Sequence, residues 1–250
     1  MVARARFDSM CAALFALLVI LATPARAADP VTQSPTVAVL YLDYAGADED
    51  MAALRKGLAQ MLISDLSGNA QLRLVERLQI ESVMEELKLG GTKAIDPASA
   101  AKVGKLLGAR YLVMGGYFAF AGSLRVDVRV VNVETGALVR GFGVTGKGDD
   151  FLALERDLVV GIDKILVTLP QTADAPTKPP IDPVTPMTPG VKQRPQAPPR
   201  LRTKTASRYG KALDLMDKGK KVEARGELEK VLVEEPAFGL ASDDLLRLAQ

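Results

Sequence analysis

The chain is almost empty of the side chains that most protein metal sites and nucleophile pairs require. Its 250 residues contain no histidine and a single cysteine, Cys11. Histidine and cysteine supply the usual zinc ligands and the Ser-His and Cys-His nucleophile pairs, so the sequence excludes these arrangements. One cysteine also cannot form a disulfide within the chain. We therefore predict a protein that is not an enzyme, with no catalytic residue, no metal site and no bound cofactor.

Tryptophan is absent and aromatic residues make up 5% of the chain, which disfavours stacking on bases or sugars. The 32 basic and 30 acidic residues nearly balance. Removal of residues 1–27 would take away Arg4, Arg6, Arg26 and Asp8 and leave 29 of each sign. A neutral chain lacks the excess positive charge of a general nucleic-acid binder. We expect protein partners and no nucleic acid.

The first 27 residues have the pattern of a cleaved signal peptide. Arg4 and Arg6 precede an apolar block at 11–22, and Ala-Arg-Ala at 25–27 is a small-x-small cleavage signal. The apolar block has about a dozen residues, fewer than the roughly 20 that a membrane-spanning helix needs. This difference favours a signal peptide cut after Ala27 over a membrane anchor. It predicts a periplasmic location and leaves outer-membrane association open.

Residues 36–169 predict one α/β domain, with a single mixed sheet and the element order β-α-β-α-α-β-β-β-α. The predicted strands are 37–42, 72–75, 111–114, 124–130 and 138–145, and the predicted helices are 51–66, 77–89, 97–107 and 151–169. Gly115-Gly116 is expected to break the third strand. Gly136 is expected to adopt a positive φ in the hairpin turn that precedes the last strand.

The remaining sequence predicts a linker and a small all-α module. Residues 170–205 hold ten prolines between Pro170 and Pro199, which is typical of an extended linker. Residues 206–250 contain a helical hairpin that turns at Gly219 and resembles a tetratricopeptide repeat, although Lys211 replaces the usual leucine. One such repeat cannot bury its apolar face alone, so we expect the module to need a partner or a second copy, or to be only marginally stable. Its candidate partner-binding residues are Leu215, Met216, Leu228 and Val231.

Two motifs suggest chemistry, and each has a simpler interpretation. Residues 141–146 spell G-x-G-x-x-G, but they lie in the return arm of a hairpin rather than between a strand and a helix. We interpret these glycines as structural. Asp43 ends the first strand, where ligands often bind in α/β proteins. Without a second carboxylate or a base to pair with it, we interpret the Asp43 loop as an acidic, helix-capping loop.

Several segments of 36–169, in the matching order, resemble the CsgG family of curli secretion channels. They are TVAVLYLDY, LRKGLAQMLISDLSGNAQLRLVERLQIESVMEELKL, DPASAAKVGKLLGARYLVMGGYF and LRVDVRVVNVETGALV. Similar arrangements occur in TolB amino-terminal and flagellar outer-membrane proteins. The resemblance implies a non-enzymatic role at the bacterial envelope, often in a ring. Channel members carry a lipidated cysteine at the mature amino terminus, where this chain has Ala28, and they carry extra barrel strands for which we find no matching insertion.

The sequence therefore predicts a scaffold or accessory factor in outer-membrane assembly or secretion, with protein partners and self-association among the expected contacts. Besides a stand-alone globular protein with a disordered tail, two alternatives stay open. The first is a ring-forming channel subunit whose barrel comes from residues 122–145. The second is an enzyme or small-ligand sensor that uses the Asp43 loop, which requires a concave pocket and a carboxylate of raised pKa there.

Overall fold

A computed structural model describes residues 34–89, 96–169 and 201–249. The chain forms two units, residues 1–32 and 33–250, and every described residue lies in the second. The predicted signal peptide and most of the predicted linker, 170–200, lie outside the described residues.

A mixed sheet of six strands forms the centre of the α/β domain. The strands are β1 (Thr36–Val39), β2 (Asp43–Tyr44), β3 (Arg73–Leu74), β4 (Tyr111–Phe120), β5 (Ser123–Asn132) and β6 (Leu138–Lys147). Their order is β3-β1-β4-β5-β6, and β2 also pairs with β4. The pairs that involve β1 or β2 are parallel, whereas β4–β5 and β5–β6 are antiparallel. The predicted fold class is confirmed.

The described part of the chain also contains seven helices. They are α1 (Glu49–Leu66), α2 (Arg77–Glu86), α3 (Pro97–Leu106), α4 (Phe151–Val167), α5 (Thr203–Asp217), α6 (Lys221–Glu234) and α7 (Gly239–Leu248). Asp48 caps α1, because its carboxylate accepts hydrogen bonds from the backbone N–H groups of Asp50 and Met51.

Helices cover both faces of the sheet. Tyr117 of β4 lies beside Val126 of β5, and its hydroxyl donates to the Met51 carbonyl of α1 at 2.5 Å. The same face carries Gly146 of β6, which packs against Leu154 of α4. On the opposite face, Gly104 of α3 packs against Leu112 and Val133. Near β6, the residues on this second face of the sheet are mostly exposed.

Strand β4 corrects one prediction from the sequence. Gly115-Gly116 does not break the strand, which continues to Phe120. Gly115 is needed for close packing: a β-carbon there would lie 2.0 Å from the carbonyl oxygen of Asp127 on β5. Gly116 pairs with Asp43, so part of the predicted Asp43 loop is the short strand β2. A glycine pair inside a strand therefore marks close backbone approach here rather than a turn.

The last three helices pack on the α/β domain. Helix α5 lies against α1, and Leu201 and Ala206 belong to the same buried core as the sheet. A second buried cluster joins α5, α6 and α7, and it consists of Tyr209, Ala212, Leu213, Leu228, Val231 and Ala241. The partner that the helical module needs is therefore α1 of the same chain. Helix α5 also begins at Thr203, three residues before the predicted boundary at 206.

Candidate functional site: the junction of α1, α2 and α5

The four predicted partner-binding residues do not form one exposed surface. Leu228 and Val231 are fully buried among α5, α6 and α7, so a partner cannot reach them in this conformation. Leu215 and Met216 are half-buried, and Met216 packs against the same cluster. Leu228 and Val231 of α6 pack within the chain, and partner binding by Leu215 and Met216 stays a prediction.

The contact that unites the two parts of the chain depends on glycines. Gly57 of α1 and Gly210 of α5 face each other, and a β-carbon on Gly57 would lie 3.1 Å from the backbone nitrogen of Gly210. The alanines beside them, Ala53 and Ala206, keep the same stripe small. Small residues at the crossing allow the two backbones to touch, which side chains of ordinary size would prevent.

A cluster of charges closes one end of this contact. Asp217 of α5 accepts two hydrogen bonds from the Arg77 guanidinium of α2, at 2.8 and 2.9 Å. Lys56 of α1 donates to Asp217 at 2.8 Å, to Asp214 at 3.0 Å and to Glu81 of α2 at 2.9 Å. The side chains of Arg77 and Asp217 are 4% and 5% exposed, so their charges are compensated within the protein rather than by water.

The pKa values in this cluster follow from burial and pairing. Burial alone would lower the pKa of Lys56, but hydrogen bonds to Asp217 and Glu81 outweigh it and raise that pKa. The pKa of Arg77 is raised for the same reason, with Asp217 as its main partner. Burial would raise the pKa of Asp214, yet hydrogen bonds from Lys218 and Lys56 lower it. All three groups are therefore charged around neutral pH.

Tyr41 extends the cluster towards the sheet. Its hydroxyl donates to Glu81 at 2.5 Å, and it accepts from Arg77 at 3.4 Å. Burial raises the pKa of Tyr41, so the phenol stays protonated and can donate. Tyr41 lies between β1 and β2, and it therefore couples the sheet to α2 and, through Arg77 and Asp217, to α5.

Further polar contacts hold α5 along its length. The Ser207 hydroxyl donates to the Asp50 carbonyl of α1, and Arg208 pairs with Glu234 of α6. The buried Tyr209 hydroxyl donates to Asp244 of α7 at 2.8 Å. Helix α5 is thus fixed on one side to α1 and on the other to α6 and α7.

The Asp43 loop is tied to its neighbours. The carboxylate of Asp43 lies 3.9 Å from the Arg55 guanidinium of α1. An open cleft of about 180 Å³ lies beside it, lined by Tyr44, Asp48 and Arg55 among others. The described ranges contain no group of three or more acidic, histidine or cysteine side chains placed to hold a metal ion.

The glycines of the G-x-G-x-x-G motif lie on β6, and each makes room for a neighbour. At Gly143 a β-carbon would lie 2.2 Å from Arg125 and from Asp127, which form an ion pair along the neighbouring strand β5. At Gly146 it would lie 2.8 Å from the Leu154 side chain of α4. The motif lies on an antiparallel strand, as predicted, and these contacts account for two of its glycines.

One buried acid lies away from the junction. Glu155 of α4 is 2% exposed, whereas Asp65 of α1, whose charge acts on it, is an exposed residue. Burial and then the Asp65 charge raise the pKa of Glu155 to about 8, and burial raises the pKa of Asp65. Glu155 is therefore mostly protonated at neutral pH.

The sequence did not reveal the charged junction, since its members are spread over about 160 positions from Lys56 to Asp217. Two glycines inside helices, Gly57 and Gly210, were the available signal. Glycine weakens a helix interior, so its presence on a buried face indicates close contact with another backbone.

No helix among the described residues has the length and apolar character that crossing a membrane requires.

Comparisons with known proteins found a family model and several solved structures that the chain resembles. Residues 27–125 match the family model described as curli production assembly/transport component CsgG. A search of curated proteins found no significant match. Solved structures of similar fold include the LpoB C-terminal domain from Salmonella enterica, which is 18% identical. That comparison has a TM-score of 0.37 and covers 48% of this chain and 87% of that one.

Two further structures are similar at this level. Lipoprotein GNA1162 from Neisseria meningitidis is 12% identical with a TM-score of 0.41, over 54% of this chain and 99% of that one. A PelC dodecamer from Paraburkholderia phytofirmans is 13% identical with a TM-score of 0.34, over 55% of this chain and 91% of that one. The resemblance to the CsgG family that the sequence predicts is confirmed over residues 27–125.

Proposed function

We propose that this protein is an accessory factor of the bacterial envelope that acts in assembly or secretion by binding other proteins, without catalysing a reaction. The observation that carries the proposal is the match of residues 27–125 to a family of assembly and transport components. The predicted signal peptide supports the location, because it would export the chain to the periplasm.

The junction of α1, α2 and α5 supports a scaffold role. A protein that positions partners must hold its own parts in a fixed relation. Here Gly57 and Gly210 set the α1–α5 contact, and the bidentate pair of Arg77 and Asp217 fixes its orientation. Buried ion pairs add little net stability but can select one arrangement over others. We infer that the helical module and the α/β domain act as one body towards a partner.

The proposal that no reaction is catalysed rests on the composition and on the Asp43 loop. The sequence has no histidine to activate a serine. Asp43, the best candidate for a catalytic carboxylate, is engaged by Arg55. A carboxylate held in an ion pair is poorly suited to accept a proton from a substrate.

Site-specific photo-crosslinking in living cells tests the proposed function. A photoreactive residue replaces Val222 or Val233, which are 83% and 82% exposed on α6, or Phe118, which is 40% exposed on β4. We expect defined adducts with other envelope proteins from at least one position. A matched chain without residues 1–27 should stay in the cytoplasm and lose these adducts. Absence of adducts from the exported chain, or identical adducts from both chains, would contradict the proposal.

A further inference from the structure

Strand β6 is an edge of the sheet, and its outer side has unused hydrogen-bonding groups. Just after β5, the Val133 N–H donates to the Arg110 carbonyl next to β4, and just after β6, the Gly148 N–H donates to the Gly122 carbonyl next to β5. In an antiparallel sheet, the backbone groups of successive residues point to alternate sides of the strand. Counting back from Gly148, the N–H and C=O groups of Gly141, Gly143 and Thr145 therefore point away from β5. No backbone hydrogen bond from another described residue reaches these three positions.

The middle of this edge lacks the features by which proteins usually protect such strands. Residues 141–146 contain no proline, no charged residue and no register shift, since the bulge of this hairpin lies before Arg140. The outward-pointing positions are glycine, glycine and threonine, so bulky side chains do not hinder an approaching strand. A segment of this length offers enough pairing groups to bind another extended strand.

Helix α4 indicates which strand fits. Gly161 lies over Phe142 of β6, because a β-carbon there would lie 2.4 Å from the Phe142 ring. Asp157 and Lys164 lie four residues before and three residues after Gly161, so the three share one stripe of the helix on the β6 side. Both charged residues are exposed.

We propose that two copies of the chain pair antiparallel along β6, around a two-fold axis beside Phe142. Gly141 would then pair with Gly143 of the second copy, and the two Phe142 rings would form the close, non-hydrogen-bonded pair of the ladder. The two sheets would join into one. This inference does not depend on the envelope role proposed above, because self-pairing needs no other protein.

The charges on α4 match this arrangement. A helix covers about two strands at a spacing of roughly 4.8 Å, so pairing two β6 edges would place the two α4 helices about 10 Å apart, a normal packing distance. Under the two-fold axis, Asp157 of each copy faces Lys164 of the other. Arg140 lies opposite Val144 in the paired strands, and this places it near Asp157 of the second copy. An isologous interface repeats each such contact twice.

The mass of the full chain, measured by sedimentation over a range of concentrations, tests the inference. We expect a dimer. The substitutions Asp157→Lys and Lys164→Asp should each raise its dissociation constant roughly tenfold or more, since each creates like charges across the axis. The double variant should regain part of the lost affinity, because exchanging both charges restores the pairs between positions 157 and 164 but leaves Arg140 facing a like charge at position 157. Glu86→Lys, an exposed reversal on α2, is the matched control and should leave the dimer unchanged.

Disulfide trapping tests the register independently. In a chain with Cys11→Ser, Phe142→Cys should give a covalent dimer on oxidation, because only a residue on the axis meets its own copy. Thr145→Cys, on the same strand, should not. A monomer throughout the concentration range, a dimer indifferent to both single reversals, or trapping at 145 instead of 142 would overturn the inference.

Discussion

Gly57 and Gly210 bring the backbones of α1 and α5 into direct contact. A β-carbon on Gly210 would lie 2.0 Å from the Ala53 carbonyl oxygen, and one on Gly57 would lie 2.8 Å from the Ala206 carbonyl oxygen. Both obstacles are backbone atoms, which cannot rotate away. This contact joins the carboxyl-terminal helices to the region that matches the CsgG family.

Alanine at Gly210 should weaken the α1–α5 contact. The added carbon must push the helices apart, and such overpacking typically costs about 1–3 kcal/mol of unfolding free energy. Denaturant unfolding of Gly210→Ala measures this loss. Gly226→Ala is the matched control in α6, where nothing lies within 4 Å of the added carbon. That variant should be unchanged or gain up to about 1 kcal/mol, because alanine favours helix. An equal change in unfolding free energy for the two variants would contradict the close contact between α1 and α5.

The substitution Asp217→Asn should lower the unfolding free energy more than the small change in the side chain suggests. It removes the charge that compensates Arg77, which is 4% exposed, and one of the three carboxylates around Lys56. Breaking a buried pair in this way costs roughly 3–5 kcal/mol. Glu229→Gln removes a carboxylate from the exposed pair with Arg225 and should change stability by less than about 0.5 kcal/mol. A similar small effect at Asp217 would mean that the junction is not buried in solution.

The acid pair of Glu155 and Asp65 should make the protein less stable as the pH rises. The pKa of Glu155 is about 8 in the folded protein against an ordinary value of 4.5, so the folded state holds more protons between these values. Unfolding free energy then falls with increasing pH across this window, by an amount on the order of 3 kcal/mol.

Glu155→Gln cannot ionise, so the unfolding free energy of this variant should vary less between pH 5 and pH 8.5. Urea unfolding at several pH values measures the slope. Glu85→Gln, an exposed change on α2, should keep the slope of the parent chain. A parent chain whose stability rises over this range would contradict a protonated Glu155.

The glycines of β6 should matter for packing and not for nucleotide binding. Gly146→Ala places a carbon against the β-carbon of Leu154, and this atom cannot move unless helix α4 moves with it. The substitution should therefore lower the unfolding free energy by about 1–3 kcal/mol. Gly143→Ala meets only the exposed ends of Arg125 and Asp127, which can rotate, and should cost less than about 1 kcal/mol. Thermal unfolding compares the two variants. Stabilisation of the parent chain by a dinucleotide would contradict the structural interpretation.

Local sequence signals predicted most of the α/β domain. The amphipathic pattern of α1, the alternation in β5 and the positive φ of Gly136, observed at 68°, all follow from short-range rules. The family resemblance and the fold class could be predicted for the same reason. Gly115 shows the limit of such rules, since the carbonyl that requires glycine there belongs to Asp127 on the neighbouring strand.

The candidate site could not be predicted, because its contacts join distant parts of the sequence. Leu228 and Val231 have the right spacing for a partner-binding helix face, and the same spacing serves a core within the chain. The sequence indicates that a helical module needs something to pack on. Only the structure identifies that surface as α1, through Gly57, and the charges that fix it there.

The native mass of the chain, isolated from the envelope with and without detergent, tests the central proposal most directly. An accessory factor should yield the same discrete complex in both cases, made of one or two copies together with other envelope proteins. A ring of many copies that exists only with bound detergent would contradict the account and favour the channel function of the family.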